Sequence, residues 1–587
     1  MMVFPRVAYF TMEIALESAL PTYAGGLGVL AGDTVRSFAD MDLPIVAVSL
    51  VHRRGYFRQR LSGRGRQTEK PDLWDPAGRL EPLDPRVSVE IEDRSVAIRA
   101  WRYRVRGETG AELPVILLDA DLPENARRDR KLTDSLYGGD ERYRLCQEVI
   151  LGMAGILMLR ALGYDQLEKF HLNEGHAALV AVALLEEQQP EPPHDREDLD
   201  RLVERVRAQC VFTTHTPVPA GHDRFPSKLA RRVVGRRCWS WLRAIGTDAE
   251  LNMSELALRA SHFVNSVAMR HGEVSRSLFP DHPIRSITNG IHAPTWAAPS
   301  FRELYDHRLP GWRSDPLSLR AAVGIPVAEV ESAHRRSKEA LIRYVRDVSS
   351  LTLDPQALTI GFARRATAYK RANLLFRDID RLALIAEKVG PIQIVLAGRA
   401  HPKDHSGKAM IREIFRARRR LRGRVGIVYL ANYDMNLGRL LCAGSDLWLN
   451  TPVPPLEASG TSGMKAALNG VPSLSILDGW WVEGYLPGVT GWPIGPDRGL
   501  EPNPEDGDER DADALYRTLE SDVMPCFYGD HARYVRMMRS TIAVNASYFN
   551  TQRMVVEYLY AAYRGSEATE RMEASRALGR EDGGTHE

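Results

Sequence analysis

The sequence is poor in several things at once. It has five cysteines (Cys146, Cys210, Cys238, Cys442, Cys526), odd in number, scattered and without a Cys-x-x-Cys pair. That excludes a disulfide framework, argues against a zinc site and suits a reducing compartment. No apolar run is long enough to span a bilayer: the longest, Val149 to Leu159, is short and contains glycine, so it reads as a buried helix. The amino terminus lacks the basic-then-apolar pattern of a signal peptide, because Glu13 interrupts it. A cytoplasmic protein is expected. An excess of one charge is also missing, with 78 basic against 76 acidic residues and a net charge of +2. Near-neutrality argues against a nucleic-acid partner. The one basic cluster, Arg416 to Arg424, continues a pattern in which Ile411, Ile414 and Phe415 recur at helical spacing, so it reads as a solvated helix face. Lysine is scarce too: only ten of the 78 basic residues are lysine.

What is present is a chain of 587 residues, 44% hydrophobic and 26% charged, long enough for two or more domains. In the second half, short apolar runs alternate with helical patterns. Strands are expected at Leu358–Phe362, Ile392–Leu396, Val425–Leu430, Leu447–Leu449 and Leu474–Leu477, with helices at Ala372–Lys388, Lys408–Arg420 and Asn436–Cys442. Such alternation implies βαβ units and a parallel, doubly wound sheet, with ligands beyond the carboxyl ends of its strands. Arg364, Arg365, Tyr433 and Glu457 all fall just after predicted strands. The first half shows the same grammar: strands at Val7–Phe10, Pro44–Val51, Lys169–Leu172 and Cys210–Thr213, and helices at Val29–Ala39 and Ala177–Glu187. Alternating segments between about 86 and 119 suggest an antiparallel insert. Gln188–Asp200 and residues 499–513 read as loops, and the polar chain after about 564 as a disordered tail.

The stretch Glu457-Ala458-Ser459-Gly460-Thr461-Ser462-Gly463-Met464-Lys465 is the most informative feature. It places a carboxylate, a run of small residues and a lysine within nine positions, at the start of a predicted helix. Small residues leave backbone N–H groups open to an anion. In a chain that defaults to arginine, a lysine here is either a point charge or, if desolvated, a nucleophilic amine able to form a Schiff base. A glycine-rich turn before an ordinary helix is the plainer reading. The lysine is not preceded by glycine nor followed by Ser or Thr, so this is not a Walker A loop.

These residues resemble the cofactor segment of the α-glucan (glycogen, starch, maltodextrin) phosphorylases. Tyr23-Ala24-Gly25-Gly26-Leu27-Gly28 resembles that family's amino-terminal glycine loop, and Thr214-His215-Thr216 its sugar-contacting histidine. Thr288-Asn289-Gly290-Ile291 with Trp296, Arg364-Arg365 with Tyr369-Lys370-Arg371, and Asn432-Tyr433 match further segments in family order, from about residue 8 to residue 485. The short bacterial type is the nearer likeness. The resemblance implies two Rossmann-like lobes facing a cleft, the GT-B arrangement: residues 1–289, then 290–563, with the helix around Tyr548 to Tyr563 packing back on the first lobe.

It further implies pyridoxal 5′-phosphate on Lys465, with Gly25, Gly26, Arg364, Tyr433, Thr461, Ser462 and Trp296 as its surroundings. Arg365 and Lys370 would clamp inorganic phosphate; Glu457, His215, Asn289 and Tyr369 would hold the sugar. The cofactor's phosphate, with a second pKa near ~6, would relay a proton through the substrate phosphate. The implied reaction is phosphorolysis of an α-1,4-glucan to α-glucose 1-phosphate with retention, by a homodimer needing no metal, nucleic acid or membrane. A retaining sugar-nucleotide glucosyltransferase and a catalytically silent glucan-binding homologue are the alternatives. His171, His176, His401, Asp404 and His405 lack recognised metal spacing. Trp480-Trp481 reads as core before it reads as a sugar platform. Two positions depart from the family pattern: Asp434 stands where long members have arginine, and Val453 where the short type has a basic residue.

Overall fold

A computed structural model describes residues 6–218, 221–247, 249–349, 351–501 and 504–564. The expected tail beyond 564 lies outside the described residues. Two sheets dominate. The first has nine strands: β1 Val7–Thr11, β2 Ile45–Leu50, β3 Glu81–Ile91, β4 Arg94–Arg106, β5 Glu112–Asp119, β6 Lys169–Asn173, β7 Cys210–Thr213, β8 Phe263–Ser266 and β9 Arg285–Ser286. They lie in the order β9-β8-β7-β6-β1-β2-β5-β4-β3. The antiparallel pairs in this sheet are β3 with β4 and β4 with β5, in the insert expected near residues 86–119. The second sheet is all parallel and has six strands: β10 Leu358–Ala363, β11 Ile392–Ala397, β12 Gly426–Leu430, β13 Leu447–Asn450, β14 Ser473–Ile476 and β15 Gly491–Ile494. Its order, β12-β11-β10-β13-β14-β15, is the doubly wound 3-2-1-4-5-6. The parallel strands of the first sheet repeat it, as β5-β2-β1-β6-β7-β8.

The strands are buried on both faces, which is why they read as continuous apolar runs. In β1, Ala8 and Phe10 enter one core and Val7 and Tyr9 another. In β11, Ile392, Ile394 and Leu396 face one core while Val395 and Ala397 face a second. This is the period-two alternation of a sheet covered by helices on both sides. The Val149–Leu159 run is indeed helical and buried almost throughout. Trp480 and Trp481 are core residues, 2% and 0% exposed.

Three elements differ from the sequence reading. A helix, Arg196–Arg207, begins inside the expected loop 188–200, because the Asp195 carboxylate caps its first turn. Another, Gly507–Thr518, occupies much of the expected acidic loop, with Asp508 and Glu509 favourably placed at its amino end and Ala512 and Leu515 buried. The expected helix Ala372–Lys388 forms only from Ile379, where Asp378 caps it; before that, Arg371 adopts a left-handed conformation at φ 45°.

The end of the described chain returns to the first sheet. The helix Thr551–Tyr558 and the turn after it place Val555, Tyr558 and Tyr563 in one core with Val7, Tyr9 and Phe38. Ser37 Oγ meets Thr551 Oγ1 at 2.6 Å, and His171 Nδ1 meets the Tyr563 hydroxyl at 2.6 Å. The chain passes Gly290 so closely that a Cβ there would lie 2.2 Å from the Asn550 carbonyl carbon.

Candidate active site

In each sheet the strand order reverses between its first and fourth parallel strands, and the candidate residues collect at the carboxyl ends of those strands. Glu13 follows β1, and its side chain is buried. Its Oε2 accepts from the Ala24 and Gly25 N–H groups at 2.6 and 3.2 Å, and its Oε1 from the Tyr137 hydroxyl at 2.9 Å. The glycine loop is thereby pinned at the start of helix α1 (Gly26–Asp40). A side chain at Gly28 would come 2.6 Å from Glu13 Oε2, so glycine is required there. A Cβ at Gly25 would meet the Arg365 Nη2 at 3.2 Å, while Gly26 faces open space.

From the second sheet, Arg364 and Arg365 follow β10, and Asn450 ends β13. Arg364 Nη1 donates to Asn450 Oδ1, and Arg364 Nη2 lies 2.6 Å from Glu457 Oε2. Lys370 Nζ reaches that same oxygen, also at 2.6 Å, and stands 4.4 Å from the Tyr369 ring centre. Burial would push the Glu457 carboxyl up, but Arg364 and Lys370 outweigh it and bring it down to about 2. Beside it, burial pushes Asp478 up to about 7, with the Glu457 charge adding to the shift and the Glu457 and Gly479 N–H groups opposing it. Asp478 Oδ2 accepts the Glu457 N–H at 2.8 Å and fixes the turn that carries this carboxylate. Arg365 is exposed. Two cations, Arg364 and Lys370, therefore share a single low-pKa carboxylate, while Arg365, next in sequence, makes no ion pair with it.

Lys465 lies on the short helix Ser462–Leu468 and is 5% exposed. Its Nζ stands 3.7 Å from the Trp296 ring centre, and among the described residues it enters no ion pair. Burial lowers its pKa, against the smaller opposing pulls of Asp33 and Cys442. Trp296 Nε1 donates to Asp33 Oδ2 at 2.7 Å. Ahead of the lysine, Gly460 takes φ 74°, and a Cβ there would lie 3.3 Å from Glu457 Oε1 and 3.7 Å from Arg364 Nη2. Ser462 Oγ accepts from Trp448 Nε1 at 3.1 Å, and the Thr461 carbonyl accepts the Lys465 N–H at 3.2 Å. Tyr433 packs behind the group: its carbonyl accepts from Arg399 at 2.5 Å, and burial raises its hydroxyl pKa. Asp434, the departure from the long members, caps the next helix, Met435–Gly444, by accepting the Leu437 N–H at 2.8 Å.

The remaining expected residues come from the first sheet. His215 follows β7; its Nε2 meets Asn173 Oδ1 at 2.6 Å, and burial brings its pKa down to about 4, so the ring is neutral at pH 7. Asn289 follows β9, with a buried Oδ1 that has no hydrogen-bond partner among the described residues. Among the described residues, no hydrogen bond joins either residue to the Glu457 group. Glu13, Asp33, Asn450 and Asp478 escaped the sequence reading as site residues. Two of them left a signal: Glu13 is a lone acid in an apolar run, and Asp33 sits on the buried side of α1 with Leu30, Ala31 and Val35.

The sequence profile of the carbohydrate phosphorylase family matches residues 222–484. A maltodextrin phosphorylase from Thermococcus litoralis is 37% identical, over 95% of this chain and 70% of its own. The chain belongs to the carbohydrate phosphorylase family. Within the phosphorylases, a glycogen phosphorylase from Mycobacterium tuberculosis is 39% identical over 95% of this chain and 70% of its own, and one from Aquifex aeolicus is 34% identical over 95% and 86%. Among the described residues of this phosphorylase-family chain, no helix is long and apolar enough to cross a membrane, and no group of three His, Cys, Asp or Glu is placed to hold a metal ion. Its five cysteines are free and buried.

Proposed function

We propose that the protein is an α-1,4-glucan phosphorylase that uses pyridoxal 5′-phosphate, cleaving glycogen or maltodextrin with inorganic phosphate to give α-glucose 1-phosphate and a shortened chain. The observation that carries this reading is the pairing of Arg364 and Lys370 with the buried Glu457, beside the cation of Arg365, unpaired among the described residues, and eight residues ahead of a buried lysine of lowered pKa. Such a site has cationic room for two neighbouring phosphates. The residues suit a pyridoxal phosphate: the Lys465 amine is desolvated, which lowers its pKa and favours the neutral, nucleophilic form, and the lack of side chains at Gly25 and Gly460 leaves space against Arg365 and Arg364. Lys465 would hold the group, with Trp296, Tyr433, Arg364, Thr461, Ser462, Gly25 and Gly26 around it. When bound, it supplies a phosphate whose second pKa, near ~6, suits acid–base work at working pH.

The chain's own residues do the rest. Arg365, which is exposed, and Lys370 clamp the substrate phosphate. Glu457 keeps Arg364 and Lys370 in register, and with the neutral His215, Asn289 and Tyr369 it orients sugar hydroxyls. In the reaction the glycosidic C1–O4 bond breaks, O4 takes the proton carried by the inorganic phosphate, and an oxygen of that phosphate bonds to C1 on the face O4 left. We assign this work to two lobes, residues 1–289 and 290–563, facing a GT-B-like cleft; the repeated 3-2-1-4-5-6 strand order supports it.

The test is to incubate the protein with maltodextrin and inorganic phosphate and to quantify glucose 1-phosphate, with a no-phosphate control. Phosphate-dependent product is expected, and Lys465→Ala should lose both the pyridoxal absorbance and activity. Wild-type protein without that absorbance would overturn the reading and favour a sugar-nucleotide transferase.

A further inference from the structure

Away from the Glu457 group, a cavity of about 580 Å³ opens between the segment Leu16–Ala19, the residues around Trp296, and the start of the helix Met435–Gly444. Five arginines line it, Arg36, Arg106, Arg302, Arg313 and Arg439, against two acids, Glu17 and Glu108. Most of this charge is already matched. Arg36 lies 3.6 Å from Asp33, Arg106 bonds Glu112 at 3.0 Å, and Arg313 forms two bonds to Asp306 at 2.9 and 2.8 Å. Glu17 takes the Tyr103 hydroxyl at 2.6 Å, and His292 meets Asp40 at 2.7 Å.

Two arginines are different. Arg439 makes no hydrogen bond or ion pair among the described residues. Arg302 Nε is buried without a partner, and its Nη2 donates to the Thr295 carbonyl at 3.3 Å. Burial lowers the Arg302 pKa, and the like charges of Arg439 and Arg313 lower it further, against smaller opposing pulls from Glu108 and Asp306. A half-buried guanidinium whose Nε lacks a partner and whose largest charge interactions are with two other arginines is costly unless an anion completes it, and arginine's planar fork matches phosphate oxygens. The adjoining cavity of about 550 Å³ shares Asn436 and Arg439 and adds Arg343, also without a hydrogen bond or ion pair among the described residues.

We infer that this cavity is a second anion site, in which Arg302 and Arg439 bind the phosphate of a small ligand, either free phosphate or a sugar-sized phosphate monoester. The volume admits such an ester. Trp296 borders the cavity and also carries the Lys465 amine, so the site adjoins the candidate cofactor pocket without using Arg364, Arg365, Lys370 or Glu457.

Equilibrium dialysis of labelled inorganic phosphate against the full, cofactor-loaded chain at 0.15 M salt tests this. Two exchangeable phosphates per chain are expected. The Arg302→Gln/Arg439→Gln variant should bind one, or bind the second at least tenfold more weakly, while its KM for phosphate stays within about twofold. Arg365→Ala should lose the other. Arg439→Gln alone, which breaks no internal contact, should weaken the second site at an unchanged melting temperature. Glucose 6-phosphate competing only at the site removed in the double variant would assign an ester, and failure to compete would assign free phosphate. Undiminished phosphate binding by both arginine variants would overturn the inference, whatever Arg365→Ala does.

Discussion

The ε-amine of Lys465 stands 3.7 Å above the centre of the Trp296 ring, and the same ring's Nε1 donates to Asp33 at 2.7 Å. One side chain thus steadies a buried amine with its face and a buried carboxylate with its edge. The two functions separate by substitution. Trp296→Phe keeps the face but strips Asp33 Oδ2 of its donor, while Asp33 Oδ1 is already without a hydrogen bond. A loss of about 1–3 kcal/mol in urea unfolding is expected. Trp296→Leu should lose a further ~0.5–2 kcal/mol with the cation–π contact. Equal stability of wild type and the phenylalanine variant would show that the Asp33 bond carries nothing.

Arg365 offers a cleaner test of phosphate recognition than Arg364 or Lys370, because it is exposed and Glu457 is not its partner. Arg365→Ala should leave the fold intact. Loss of a charge-assisted hydrogen bond of about 1.5–3 kcal/mol predicts a KM for phosphate raised roughly 10- to 150-fold, with glucan binding nearly unchanged. Initial rates against phosphate and against maltodextrin separate the two. Gly25→Ala, which brings a methyl to 3.2 Å from Arg365 Nη2, should move the phosphate KM in the same direction by less.

Much of this site was readable because parallel sheets write themselves plainly into sequence. Buried strands are continuous apolar runs, and their carboxyl ends advertise polar residues such as Arg364, His215 and Glu457. The residues that hold those groups in place were harder to see. Glu13 acts across eleven positions on Ala24, and Asp33 acts on Trp296 across more than two hundred, so neither spacing nor periodicity announces them. The two loops that proved to be helices failed for a local reason. Their charged first turns looked like solvated linker, whereas Asp195 is a cap and Asp508 complements a helix dipole.

Asp478 makes stability depend on pH near neutrality. Its carboxyl is raised from 3.8 to about 7 in the folded protein, so between those values the folded state holds a proton that the unfolded state has released. Stability should therefore fall as pH rises from about 4 to 7, by an amount on the order of 4 kcal/mol for this group alone. Glu457 works in the opposite sense at lower pH: lowered from 4.5 to about 2, it loses stabilisation as pH falls through that window. Comparing urea unfolding of wild type and Asp478→Asn between pH 5 and 8 isolates the first effect. The variant should gain on the wild type as pH rises, and parallel curves would remove Asp478 as the source.

Arg371 ties the phosphate-facing segment to the acidic stretch that the sequence offered as a loop. It is 3% exposed and left-handed, and its guanidinium bonds Asp508 at 2.8 Å, Asp511 at 2.7 Å and the Thr451 and Pro452 carbonyls at 3.1 and 2.5 Å. Asp511 is 1% exposed and its other oxygen is taken by Arg498. Arg371→Met leaves Asp511 buried beside one cation instead of two, so stability should drop by about 3–5 kcal/mol. Asp511→Asn should cost less, because an amide still accepts from Arg498. The double variant should fall short of the sum of the single losses by roughly 0.5–3 kcal/mol, the coupling expected of contacting groups in one network. Lys370 directly precedes Arg371, so the single variants should also raise the KM for phosphate while leaving the pyridoxal absorbance in place. Strict additivity, or an unmoved phosphate KM, would mean that the helix Gly507–Thr518 supports the fold and nothing in the site.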